Sequence, residues 1–146
     1  MPPIVTTRIA TPRDLAAIRI LHAEVFGPGR FTRTAYRVRE GAPELTEFCR
    51  VAMIGERIIA ALRFTRVAIG QQMSALLLGP LAVDPELEGQ GYGRQLVAEG
   101  LQAARAAGIA VVVLVGDEPY YGKLGFVRVP PGQITLPGPV DPARLL

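Results

Sequence analysis

Three glycines in alternation, Gly89, Gly91 and Gly93, run into Arg94 in the stretch Asp84–Arg94, DPELEGQGYGR. Glycine lets backbone N–H groups turn toward a ligand and lets the ligand come close. A helix beginning at that point adds unsatisfied donors and positive potential. Together these make an anion site suited to a phosphate or pyrophosphate. Each hydrogen bond to a charged group contributes about 1.5–3 kcal/mol net, so three or four anchor a polyanionic ligand. Arg94 falls in the first helical turn, where a cation opposes the helix dipole unless an anion lies beside it. The same spacing also suits a plain strand–helix connection. It is not the dinucleotide pattern G-x-G-x-x-G, whose last glycine would fall on Arg94, nor a Walker loop, because no Gly-Lys-Ser/Thr follows.

Other chemistries find little support. Cys49 is the single cysteine and His22 the single histidine, so neither an internal disulfide nor a Cys/His metal cluster is available. Cys49 reads as a packing residue within an apolar strand. His22, at helical spacing with Ile18 and Val25, reads as flanking the core. The net charge of +3 and pI near 9.5 come from scattered basic residues, apart from Arg30, Arg33, Arg37 and Arg39. Nucleic-acid binding calls for a denser basic face or a recognisable module, and none is expected. The Arg30–Arg39 cluster reads first as a solvated helix face; selection of an anionic substrate is the alternative. No signal-peptide core and no run of membrane-spanning length is present. A cytoplasmic protein without membrane contact is expected.

The length of 146 residues suits one domain, 1–146. Ile4–Ile9 is short and β-prone. Thr11-Pro12-Arg13-Asp14 resembles a helix start with Thr11 as N-cap, and Leu15, Ile18, Leu21, His22 and Val25 continue at helical spacing. A weaker helix is expected over Thr32–Arg39. From Glu47 the period changes, and a hairpin is expected to turn at Gly55-Glu56. After a break at Gly70-Gln71, Ser74–Val83 is apolar throughout, as a central strand should be, yet it contains Gly79-Pro80. Proline inside a strand is tolerated mainly at a bulge or an edge. Arg94–Ala107 carries a helical stripe stopped by Gly108. Ile109–Val115 is a second buried strand, expected to run parallel to the first because a helix supplies the crossover. Pro119–Leu124 reads as a short turn or helix, Phe126–Val129 as a final strand, and Pro130–Leu146 as loosely structured.

The sequence LAVDPELEGQGYGRQL resembles the cofactor motif of the GNAT superfamily of N-acetyltransferases, Gln/Arg-x-x-Gly-x-Gly/Ala, in the register Glu88-Gly89-Gln90-Gly91-Tyr92-Gly93. Tyr121-Gly122-Lys123-Leu124-Gly125-Phe126 resembles the family's Tyr-x-x-x-Gly-Phe signature. The bulged strand ahead of the loop is a third likeness. The resemblance covers Ile4 to about Val129 and is specific from Ser74 onward.

The resemblance implies a mixed α/β fold: a central sheet, mostly antiparallel with one splayed parallel pair, flanked by helices. It implies acetyl-CoA as cosubstrate and a small-molecule or protein amine as acceptor. Leu81, Ala82 and Val83 would offer backbone groups to the pantetheine arm, and Gly89, Gln90, Gly91, Tyr92, Gly93 and Arg94 would hold the pyrophosphate. Tyr121 would protonate the departing thiolate; its alternative is an aromatic packing under the last strand, a job adjacent Tyr120 could do instead. For the base, Glu24, Glu47, Asp117 and His22 are candidates; Asp117 ranks first and is equally a helix cap. Glu88 departs from the usual Gln or Arg. An anion about 4 Å from a phosphate costs roughly 4 kcal/mol at an effective dielectric of about 20, so the Glu88 side chain must point away. The alternative function is a CoA-binding regulatory module without catalysis. A homodimer is compatible with either.

Overall fold

The structure, a computed structural model, describes residues 4–27, 39, 41–130, 132–134, 136 and 140–146. The helix expected over Thr32–Arg39 lies outside the described residues, except for Arg39. Five strands form one sheet in sequence order: β1 (Val5–Ile9), β2 (Arg50–Ile54), β3 (Arg57–Ile69), β4 (Gln72–Val83) and β5 (Val111–Val113). The first four pair antiparallel. β4 and β5 are parallel, joined by α2 (Tyr92–Ala106), as the crossover length required. The β2–β3 turn falls at Gly55-Glu56, where Gly55 takes φ 59°. This is the left-handed conformation that hairpin turns of this length demand.

The helices cover opposite faces. On one, α1 (Leu15–Phe26) lays Ile18 and Leu21 on Cys49, Val51, Ala61 and Ala82. Its start is held by Asp14, which accepts from the Thr11 backbone N–H at 2.7 Å and takes both Arg8 Nη atoms at 2.7 and 2.8 Å. On the other face, α2 presses Leu96, Val97 and Ala104 onto Leu62, Phe64 and Leu76. Its interior Gly100 is a packing necessity. A Cβ there would sit 2.2 Å from Phe64 Cε2, inside van der Waals contact.

Two expectations need correction beyond β5. Phe126–Val129 forms no strand of its own. Val129 instead donates to the Leu145 carbonyl at 2.9 Å. Residues 141–146 are also not loose. Leu114 and Leu146 exchange both backbone bonds at 3.0 and 2.9 Å, and Gly116 donates to the Arg144 carbonyl at 2.9 Å. Leu145 and Leu146 are buried. Proline content suggested looseness, but two leucines and three ladder-like bonds fix the segment against the end of β5.

Candidate functional site

The parallel pairing of β4 with β5 ends at Leu77 and Val113. Beyond it the two strands part. Leu78–Val83 stays on β3, while Leu114–Gly116 turns to the Arg144–Leu146 segment. In an antiparallel strand alternate residues aim their N–H and C=O to opposite sides. Leu78–Val83 therefore directs half of its backbone groups into the wedge between the strands. Leu81, Ala82 and Val83 lie along that edge.

At its upper end β4 is distorted. The register with β3 skips between Leu62/Leu81 and Phe64/Leu78, so β4 carries an extra residue there. The Gly79–Pro80 peptide is cis and Gly79 has φ 116°. The bulge inferred from Gly79-Pro80 is present, opposite Arg63.

Asp84 anchors the start of the glycine loop. Its Oδ1 accepts the Glu86 N–H at 3.0 Å, its backbone N–H donates to Ile59 at 2.8 Å, and its Oδ2 pairs with Arg57. A single 3-10 turn, Pro85–Leu87, leads to Glu88, which is exposed. Gly89 and Gly91 have φ 80° and 88°, a region closed to most side chains. A Cβ at either would meet nothing within 4 Å, so their surroundings are open for a ligand. Gly93 is required by proximity instead: a Cβ there would lie 3.0 Å from Tyr120 Oη, 3.2 Å from Leu81 and 3.3 Å from Val83. The Gln95 N–H, bonded to the Gly91 carbonyl at 3.0 Å, closes the first turn of α2. The N–H groups of Tyr92, Gly93 and Arg94 are thereby left without an intrahelical acceptor. Tyr92 Oη donates to Gln90 Oε1 at 3.3 Å. Loop, strand edge and helix start thus converge as the sequence reading expected.

The two tyrosines of α3 (Glu118–Gly122) divide. Tyr120 directs its hydroxyl to Gly93, and the Arg94 guanidinium lies 5.5 Å from its ring centre. Its pKa is raised by burial, with the nearby Arg94 cation pulling the other way. Tyr121 packs under the end of β5, where a Cβ on Gly116 would stand 2.7 Å from its ring. Its ring meets Tyr120 and Phe126 edge-on at 4.8 and 5.9 Å. Burial first, then Tyr120 and Asp117, push its pKa up to about 12, against Arg144. The sequence reading placed Tyr120 in a packing role; its hydroxyl at the loop was missed. The signal that could have found it is the doubled tyrosine itself, since adjacent residues on a short helix point in different directions.

Asp117 precedes α3 but makes no side-chain cap. Its Oδ1 pairs with Arg144 Nη1 at 3.1 Å and the carboxylate is largely exposed. Cys49 is buried, with Sγ near Thr46 and the Phe64 backbone. His22 stacks at a tilt on Phe26, 5.7 Å between centres. Of the arginine cluster, Arg30, Arg33 and Arg37 lie outside the described residues. Arg39 is described, and it is not solvated: it is buried at 9% exposure. Among the described residues no helix is long and apolar enough to cross a membrane.

Residues 46–128 match the family described as "Acetyltransferase (GNAT) domain". The chain is similar to the uncharacterized N-acetyltransferase YhbS of Escherichia coli K12, at 39% identity over 124 residues, covering 82% of this chain and 71% of that protein. It is similar in structure to YhbS of Escherichia coli in complex with CoA, with TM-score 0.74 and 29% identity over 93% of this chain and 81% of that one. A GNAT family acetyltransferase of Brucella melitensis in complex with acetyl-CoA gives TM-score 0.73 and 28% identity, covering 96% of this chain and 92% of that one.

Proposed function

Because the chain belongs to the GNAT family of acetyltransferases, we propose that it transfers the acetyl group of acetyl-CoA to an amine by direct attack in a ternary complex. The observation that carries this reading is the wedge between Leu78–Val83 and Leu114–Gly116, opening onto the Gly89–Arg94 loop. Leu81, Ala82 and Val83 offer backbone groups to the pantetheine amides, and Tyr120 closes the side of the channel. The N–H groups of Gly89, Gln90, Gly91, Tyr92, Gly93 and Arg94, with the Arg94 guanidinium, take the pyrophosphate. Glu88, exposed at the rim, contributes backbone only.

The amine nitrogen bonds to the acetyl carbon, the carbon–sulfur bond breaks, and the nitrogen loses a proton. Holding both reactants adjacent supplies much of the rate, since effective molarities reach ~10⁵ M or more. Backbone N–H groups at the Gly79–Leu81 bulge polarise the carbonyl. Tyr121 donates to the departing sulfur. A phenol near pKa 12 facing a thiol of about 8.5 gives up its proton uphill by roughly 5 kcal/mol. Tyr121 therefore acts first as a hydrogen-bond donor, and proton transfer completes only as the thiolate is released. Asp117, expected as the base, lies with Oδ1 3.1 Å from Arg144 Nη1, turned to the closing segment. We assign the amine's proton to water, and to Asp117 the tie between α3 and the Arg144 segment.

Incubation with acetyl-CoA and a pool of amines should release free thiol. Thermal stabilisation by acetyl-CoA with no thiol release on any amine would favour the regulatory-module reading instead.

A further inference from the structure

We propose that the amine acetylated here carries an anionic group, a carboxylate or a phosphate, held by Arg39 and Arg63 on the α1 face of the sheet at the Gly79–Pro80 bulge. This rests on the acetyltransferase reading above and adds the class of acceptor. Arg39 Nη2 approaches so near that a Cβ on Gly79 would lie 2.9 Å from it. The guanidinium is thus at the point where β4 breaks register, which the acetyltransferase reading makes the place of the thioester carbonyl.

Arg39 is 9% exposed, yet no carboxylate among the described residues pairs with it, and its Nε has no hydrogen-bond partner. Buried cations are almost always paired, because desolvation costs several kcal/mol per ion. Burial first, and the Arg63 cation second, push the Arg39 pKa down to about 9, so it is still a cation at neutral pH. Two guanidinium groups that repel each other have been brought together instead of separated. Arg63 stands directly across from the bulge on β3, between Leu62 and Phe64, whose side chains pack under α2. Alternation along the strand turns Arg63 to the α1 side, where its Nη2 donates to the Pro43 carbonyl at 3.1 Å. Thr65 shares that face, and its hydroxyl is buried without a partner. A planar anion with two oxygens satisfies such a fork bidentately. The acetyl donor enters from the loop at the start of α2, so an acceptor approaching from the α1 face reaches the carbonyl from the opposite side.

The test uses the full chain and amine acceptors in matched pairs: dipeptides against their C-terminal amides, and amino-alcohol phosphates against the free amino alcohols. Thiol release should favour the anionic partner at least tenfold in kcat/KM in one or both series. Arg39→Gln should abolish that preference and Arg39→Lys should keep part of it, with acetyl-CoA still shifting the Tm of each variant. Equal turnover of charged and neutral partners would overturn the proposal. So would a uniform loss of kcat on every amine in Arg39→Gln, which would place Arg39 on the developing oxyanion. A second arm needs no turnover: titrating inorganic sulfate into CoA-saturated protein should raise Tm saturably in the wild type and not in Arg39→Gln. Identical sulfate responses in both would again overturn it. Failure of acetyl-CoA to shift Tm or release thiol with any amine would instead sink the acetyltransferase reading, while the sulfate arm on the free protein still reports on Arg39.

Discussion

The two faces of the sheet are built under different constraints. On the α2 face, space is short: Gly100 admits the Phe64 ring, and Gly93 admits the Tyr120 hydroxyl with Leu81 and Val83. Charge at the loop stays outside, at exposed Arg94 and Glu88, while Glu99 on α2 is met by the Thr7 hydroxyl. On the α1 face, charge is the constraint. Arg8 and Asp14 satisfy each other at one end of the face, whereas Arg39 beside the bulge has no such partner among the described residues. A cosubstrate recognised by backbone needs room and fixed N–H vectors. An acceptor recognised by its charge needs an ion left unmatched until it arrives.

This contrast can be broken at several points. The largest effect is expected at the reaction centre: Tyr121→Phe should lower kcat about 100-fold or more, roughly 2.7 kcal/mol, leaving acetyl-CoA affinity intact. Tyr120→Phe should do the reverse, weakening acetyl-CoA binding about fivefold by removing the hydroxyl that bonds Arg94 beside the loop. If steady-state kinetics and calorimetry exchanged those phenotypes, the roles of the tyrosines would be exchanged too. Next is Gly100→Ala, which should destabilise by about 1–3 kcal/mol through overpacking against Phe64, read as a lower urea midpoint at unchanged slope. An unaltered midpoint would mean that the α2 face is not limited by space.

Smaller shifts are expected on the α1 face, with opposite signs at its two ends. Arg39→Met should stabilise the ligand-free protein by about 1 kcal/mol, because an uncompensated buried cation is removed. Destabilisation would show that Arg39 is compensated. Asp14 has its pKa lowered from 3.8 to about 2, chiefly by the Arg8 guanidinium. A depressed folded value stabilises above the unfolded pKa, so the contribution is complete above about pH 4 and drains away as pH falls toward 2. Discounted because Arg8 is 42% exposed, it amounts to about 1 kcal/mol. The acid limb of a stability–pH curve should flatten in Asp14→Asn.

The sequence revealed these faces unequally, for a physical reason. The loop's requirements are local: positive φ at Gly89 and Gly91 and close approach at Gly93 are each met by the absence of a side chain, which is visible in one line of text. The bulge was legible for the same reason, since proline cannot complete a ladder. Arg39 was not. In sequence it is one of several arginines beside other polar residues, and only the fold carries it to Gly79. The closing segment misled through composition, because its prolines are local while the pairing of Leu146 with Leu114 is remote. The Arg144 partner of Asp117 was out of sight for the same reason, since it comes from that remote segment.

That Leu114–Leu146 pairing has a kinetic consequence. Strands β4 and β5 cannot zip together past Leu77 and Val113, because the backbone bonds at Leu114 and Gly116 are already made elsewhere. With those bonds in place, a cosubstrate enters the slot without first separating β4 from β5. Association of acetyl-CoA should then proceed in one concentration-linear phase with no plateau from strand separation. Stopped-flow traces that saturate would show a gate where the hydrogen bonds leave none.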